Sequence, residues 1–161
     1  MSSPSQAIVV DTNILFSALL AGPSSFSESL LRSGHRFYIC ELVLVELFKR
    51  KDKIVKASRL SEEDVLRVYH ALLKQVTLYK EDLIAPENRR AAYALCRDID
   101  EADSPHVALA LELNALLWTG DKQLKDGLRR KGFDRFFEPT NPRSRQTDRR
   151  RKHPGPLRPS R

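Results

Sequence analysis

Cysteine is scarce in this chain of 161 residues: Cys40 and Cys96 are the only two, far apart and outside any Cys-x-x-Cys or Cys/His ligand spacing. That excludes a disulfide framework and a thiolate metal centre. The pair reads as two buried thiols, with a disulfide between them left open. Long apolar runs are missing too, since none reaches the ~20 residues that span a bilayer. The opening MSSPSQ has neither a basic nor an apolar region of the secretory kind. The expectation is a soluble, cytoplasmic domain with no membrane association. Six glycines form no G-x-G-x-x-G or Walker loop, and there is no G-x-S-x-G elbow and no H-E-x-x-H. The four histidines are scattered at 35, 70, 106 and 153.

An excess of positive charge is what the body of the chain lacks, despite a formal net charge of +7. Of 28 Lys/Arg and 21 Asp/Glu, residues 139–161 hold eight and one, leaving 20 of each sign in residues 1–138. The whole excess lies in PTNPRSRQTDRRRKHPGPLRPSR, with five of the nine prolines and no aromatic residue. Such a composition buries too little apolar surface to offset its ordering entropy, so residues 139–161 are expected to be a disordered tail. An electrostatic arm for nucleic acid and an inert solubilising extension are both open readings of it. Residues 1–138 form the expected single domain, long enough for a sizeable core.

Within that domain, AIVV (7–10), RFYIC (36–40) and ALLW (115–118) read as short buried strands, and QVTLYK (75–80) as a strand or extended connection. Helices are expected over ILFSALLAG, SESLLRSGH, ELVLVELFKRKDKI, PENRRAAYALCRDI, PHVALALELN and KQLKDGLRRKG. A further helix starts at Ser61, whose hydroxyl can cap Asp64 while Leu60 packs on Val65. Its Val65, Val68, Tyr69, Leu72 and Leu73 share one face. FDRFFE (133–138) is a candidate to close the sheet. Strands alternating with helices predict an α/β domain around a central parallel sheet.

In such sheets ligands bind beyond the carboxyl ends of the strands. Asp11 follows AIVV and Asp121 follows ALLWTG, so the two become neighbours if their strands are adjacent. Each can equally be a helix cap. Glu46 interrupts the apolar LVLVELF, where a carboxylate needs a partner or a ligand; an ion pair with Arg50 one turn later is the plainer account. Asp103 stands before SPHVALALEL, in position to cap that helix, with Asp100 three residues earlier; Asp98 and Glu101 need only a solvated loop. Carboxylates converging within a few ångströms repel one another, and a hard divalent cation such as Mg²⁺ or Mn²⁺ removes that penalty. Mg²⁺ accepts phosphate oxygens, which makes phosphodiesters a natural substrate. His106 is placed either near substrate or in helix-start packing. Trp118 reads as core.

The pieces VVDTNILFSALL, ELVLVELFKR and DEADSPHVALALEL…ALLWTGDKQL resemble, in order and spacing over about residues 7–138, the PIN-domain nucleases, which include VapC-type toxins of toxin–antitoxin pairs. The resemblance implies a three-layer α/β/α fold and an acidic metal site of Asp11, Glu46, Asp103 and Asp121, with Asp100 able to replace or assist Asp103. Asn13 and Thr119 fall where the family often places supporting polar groups. It implies metal-dependent endonucleolytic cleavage of RNA with Mg²⁺ (or Mn²⁺), by an activated water attacking phosphorus in line. The products would carry a 5′-phosphate and a 3′-hydroxyl, with no protein nucleophile. A cognate antitoxin and a homodimer are the implied partners. The competing reading is a non-catalytic PIN-like module that binds RNA or a protein. The basic tail has no counterpart in the family pattern.

Overall fold

A computed structural model describes residues 4–21 and 33–139. Four strands, β1 (Ala7–Val10), β2 (Arg36–Cys40), β3 (Val76–Tyr79) and β4 (Leu116–Trp118), form one sheet in the order β3-β2-β1-β4. All pairings are parallel: Val9 faces Tyr38 on one side and Leu117 on the other, and Tyr38 faces Thr77. The central strand shows why no polar alternation was needed, because Ile8, Val9 and Val10 are all fully buried. β3, at the edge, is only half-buried.

The helices are α1 (Thr12–Ala21), α2 (Glu41–Lys49), α3 (Lys51–Ser58), α4 (Glu62–Leu73), α5 (Pro86–Cys96), α6 (Ser104–Glu112) and α7 (Lys122–Arg130). α1 packs with α2, α3 and α4; α6 packs on β1, β2, β4 and α5, and α5 also meets α7. The result is the three-layer α/β/α arrangement. α1 buries Thr12, Leu15, Ala18 and Leu19, the spacing of one helical face. α6 has no polar face to speak of, and His106 to Ala110 are buried without interruption.

Several local expectations hold. Ser61 Oγ accepts from Asp64 N at 3.1 Å and caps α4. Pro86 opens α5 in its first turn. QVTLYK supplies β3, and FDRFFE adds a single parallel bridge, Phe136 to Leu117, beyond β4. Both cysteines are free and buried, which removes the disulfide option.

Two expectations fail. The helix expected over residues 41–54 is two helices: Arg50 N–H donates to both Glu46 O and Leu47 O, closing α2, and Arg50 O then accepts from Ile54 N to begin α3. Asp103 does not cap α6. Its side chain makes no capping bond, because the preceding residues wind into a 3₁₀ turn (Glu101–Asp103) whose cap is Asp100. The helix expected at SESLLRSGH and the tail from residue 140 onward lie outside the described residues. No described helix is long and apolar enough to cross a membrane.

Candidate functional site

The chain runs from β1 to β2 on one side and later returns to β4 on the other, so the connection reverses between β1 and β4. A crevice forms at the carboxyl ends of strands at such a point. Asp11 and Asp121 leave these two strands. Asp11 is 3 % exposed; its N–H donates to Trp118 O at 3.1 Å and its Oδ1 accepts from Ile14 N at 2.9 Å. Asp121, exposed at the mouth, accepts from Leu124 N at 3.1 Å. Both therefore cap the helices that follow, and capping occupies one oxygen of each.

Thr119 ties the two acids together. It is buried; its hydroxyl hydrogen-bonds the Asp11 carboxylate and its Oγ1 accepts from Asp121 N at 3.1 Å. One side chain thus fixes both strand ends, a link that ALLWTGD alone does not reveal. Burial pushes the Asp11 carboxyl up, opposed by the Thr119 and Ile14 hydrogen bonds, and the Asp121 charge adds to the rise.

Asp103 feels the remaining acids. Its carboxyl is pushed up to about 7, first by burial and then by the charges of Asp100, Asp11, Asp121 and Glu46. The five acids singled out in the sequence are brought into one field. Asp100 is committed locally, its Oδ1 accepting from Ala102 N at 3.0 Å. Asp98 belongs elsewhere: it pairs with Lys131 at 2.7 Å, which pulls its carboxyl below the usual range. Glu101 is exposed.

Glu46 stands at the rim of the site instead of in the core, with 27 % of its side chain exposed. The Arg50 guanidinium is 3.9 Å away, a loose ion pair. Arg50 also donates to Asn13 Oδ1 at 3.1 Å and lies 5.5 Å from the Phe16 ring centroid. Asn13 therefore supports a cation across 37 residues of sequence, which no local pattern could show. Glu41, on the same helix, is used away from the site: it accepts from Glu81 N at 3.2 Å while Glu81 accepts from Leu42 N at 3.0 Å.

His106 is in packing. It is 3 % exposed, with Nδ1 3.5 Å from Cys40 Sγ. Burial pushes its imidazole down to about 4 against the upward pull of Glu46 and Glu81, and pushes the Cys40 thiol up to about 12. Trp118 is core as expected, 6 % exposed.

Among the described residues no three His, Cys, Asp or Glu side chains stand in ready-made metal-ligating geometry. The donor set nonetheless fits a hard divalent cation in its chemistry. It offers only carboxylate oxygens, and that of Asp103 makes no capping bond and is raised by burial and by the other acids. The Thr12 hydroxyl, next to Asp11 in the chain, is buried without a hydrogen-bond partner among the described residues.

The family model described as "PIN domain" matches residues 9–141. A comparison with curated proteins finds no match. Among solved structures, the chain is similar to VapBC2 from Rickettsia felis, bound to a DNA fragment from their promoter. There the TM-score is 0.56 and identity 20 %, over 74 % of this chain and 92 % of that one. It is also similar to PAE2754 from Pyrobaculum aerophilum, with a TM-score of 0.57 and 16 % identity over 79 % of this chain and 83 % of that one. At these identities the likeness is one of fold.

Proposed function

Since the chain belongs to the PIN-domain family, generally a family of nucleases, we propose that it is a metal-dependent endoribonuclease, the toxin of a toxin–antitoxin pair. The observation that carries this reading is Asp103: an uncapped carboxyl raised first by burial and then by the charges of Asp100, Asp11, Asp121 and Glu46. A scaffold gains nothing from holding such groups together without a cation, and that weighs against a non-catalytic module.

Asp11, Glu46, Asp103 and Asp121 would hold Mg²⁺ or Mn²⁺, with Asp100 in reserve. A divalent cation bound there supplies an activated water and neutralises charge on the phosphoryl oxygens. The chain's own part is positional. Thr119 and the two cap bonds hold Asp11 and Asp121 so that each keeps one oxygen free of its helix. With its carboxyl raised to about 7, Asp103 is only partly ionised near neutral pH, and a cation held there would favour its ionised form. Glu46 is held loosely enough by Arg50 to leave it.

RNA as substrate and a cognate antitoxin as partner belong to the same proposal. The second draws on VapBC, the name of a toxin–antitoxin pair, in a similar structure. A homodimer is proposed on the family resemblance alone. The test uses purified protein, Mn²⁺ and structured single-stranded RNA. Wild type should cleave, and Asp11→Asn and Asp121→Asn should not while retaining the fold. Mn²⁺ binding followed by calorimetry should be lost in parallel. Equal cleavage by all three proteins would refute the site. Cleavage absent from wild type, with no Mn²⁺ bound, would favour the non-catalytic module.

A further inference from the structure

A ribonuclease built on this site faces an electrostatic difficulty. The acids repel a polyanion, and residues 1–138 carry no net charge with which to attract one. Cations elsewhere on the domain are closed off by acids: Arg129 by Asp134 at 2.9 Å, Lys125 by Glu138 at 2.9 Å and Lys131 by Asp98 at 2.7 Å. Arg50 is held differently.

Its backbone is fixed at the junction of α2 and α3, the N–H donating to Glu46 O and Leu47 O at 3.2 Å and the carbonyl accepting from Ile54 N at 3.0 Å. Its guanidinium is fixed by α1. Nη1 donates to Asn13 Oδ1 at 3.1 Å, and the group lies 5.5 Å from the Phe16 ring centroid, within range of cation–π attraction. Asn13 also donates its backbone N–H to the Asp11 carboxylate, so one residue ties Arg50 to the buried acid of the site. Glu46, on the other side, belongs to the field felt by Asp103. The fork itself is barely engaged: of its five N–H groups, one is bonded among the described residues. Glu46 Oε2 is 3.9 Å from Nη2, beyond hydrogen-bond reach. An arginine placed to neutralise Glu46 would close on it as a bidentate pair. This one bonds a neutral amide and leaves its Nε and Nη2 edge open, with 40 % of the side chain exposed.

We propose that Arg50 is a phosphate-binding residue for RNA, gripping a backbone phosphate at the rim of the acidic site through its Nε and Nη2 edge; this rests on the ribonuclease reading. That edge presents two parallel N–H groups, which match two phosphate oxygens. Anchoring by Asn13 and Phe16 lowers the ordering cost, because the side chain is held in place before the ligand arrives. The contact carries no base preference, since the phosphate is the same at every nucleotide. Lys49 precedes Arg50 in the chain and is exposed. One residue along a helix turns the side chain by about 100°, so Lys49 does not share the Asn13 and Phe16 anchor and serves as a charge-matched control.

The test uses the full chain as wild type, Arg50→Gln, Arg50→Lys and Lys49→Gln. Binding of a fluorescent single-stranded RNA is followed in EDTA, so that nothing is cleaved, across a salt series. Arg50→Gln should bind about tenfold more weakly and flatten the slope of log K against log salt by about 0.7, the share of one phosphate contact. Arg50→Lys keeps a point charge without the fork, so it should hold the slope and lose about threefold in affinity. Lys49→Gln should stay near wild type in both. With Mn²⁺, KM of Arg50→Gln should rise about tenfold while kcat changes by less than about threefold. An equal loss in Lys49→Gln overturns the proposal, because binding would then follow diffuse charge. So does wild-type affinity and slope in Arg50→Gln, and cleavage by the wild type would in that case leave the nuclease reading intact. Wild-type protein that binds with an Arg50-dependent slope and cleaves nothing with Mn²⁺ would instead sink the nuclease reading and leave the phosphate site standing.

Discussion

Asp100 and Asp103 are joined by a backbone hydrogen bond, Asp103 N–H to Asp100 O at 3.2 Å, and the two side chains divide the work of the turn between them. Asp100 caps it through Ala102 N, and Asp103 is left without a cap. A carboxylate at a helix start normally satisfies orphan N–H groups. Here that satisfaction comes one turn too early, and the spare carboxyl is the one aimed at by four other charges.

This division predicts unequal mutants. Asp103→Asn should lower kcat for RNA cleavage by at least about 100-fold, as loss of a group acting on the reacting centre does. Asp100→Asn keeps an oxygen able to accept from Ala102 N and should cost less than about tenfold. Steady-state cleavage of one RNA by both variants decides it, and the reverse order would make Asp100 the ligand.

The pH dependence of stability follows from two groups that titrate in opposite senses. Asp103 is raised from 3.8 to about 7 in the fold, so the folded state binds its proton more tightly. Stability without metal therefore falls as pH rises from about 4 to about 7. His106 is lowered from 6.5 to about 4, so its contribution is present above 6.5 and is lost as pH falls through that window. In wild type the two partly cancel. Asp103→Asn removes one of them, so in EDTA the variant should lose stability from pH 6.5 to 4.5 more steeply than wild type and exceed it at pH 8. Partial exposure of Asp103 reduces the gain at pH 8 to about 1 kcal/mol. Urea midpoints at four pH values measure both slopes; parallel curves would show that Asp103 does not titrate in this range.

In the proposed metal site Arg50 would compete with the cation for Glu46. Arg50→Gln leaves the amide able to hydrogen-bond Asn13 and removes the loose 3.9 Å pair. Surface pairs of this kind contribute within about 0.5 kcal/mol, so stability should hardly move. Mn²⁺ affinity should rise severalfold, read by calorimetry. A weaker Mn²⁺ site in this variant would mean that Arg50 positions Glu46 for the metal.

How much of this was legible in the sequence differs element by element. The Ser61 cap and the buried strand AIVV rest on short-range patterns, and both are present, whereas Asp11 and Asp121 become neighbours only through the long-range pairing of β1 with β4. The break of the 41–54 helix at Arg50 was invisible, because no Gly or Pro marks it. Only the backbone bonding at Arg50 shows it, Arg50 N–H closing α2 while Arg50 O opens α3. The missing cap of Asp103 was hidden by a similar ambiguity. Asp100 and Asp103 are both good caps, and only the 3₁₀ winding of Glu101–Asp103 decides between them. The Thr119 bridge needed knowledge that β4 sits beside β1, which a sequence supplies only once the sheet order is known.

Both thiols should be inert in the native protein. Burial holds Cys40 up at about 12 and Cys96 at about 11, and both are fully enclosed. A thiolate is needed for attack on a disulfide reagent, so neither should react at pH 8 until the protein unfolds. Two equivalents of thiol should then appear together in denaturant. A single fast native equivalent would show that one of these sites opens.

Gly127 is where α7 packs against Ile99, in the segment that leads to Asp103. It is buried in mid-helix, where alanine ordinarily gains about 1 kcal/mol over glycine. Here a Cβ would meet Ile99 Cδ1 at 2.5 Å and Cγ1 at 2.9 Å. Ile99 lies between the Lys131-tethered Asp98 and the capping Asp100, so its side chain must shift, within a segment tied at both neighbours, to admit the methyl group. Overpacking of this kind costs about 1–3 kcal/mol, enough to reverse the propensity gain. Gly127→Ala should therefore lower the urea midpoint and weaken Mn²⁺ binding together. Adding Ile99→Val shortens the obstructing side chain and should restore both by more than Ile99→Val alone would allow. Restoration of stability without recovery of Mn²⁺ affinity would separate α7 packing from the placement of Asp103.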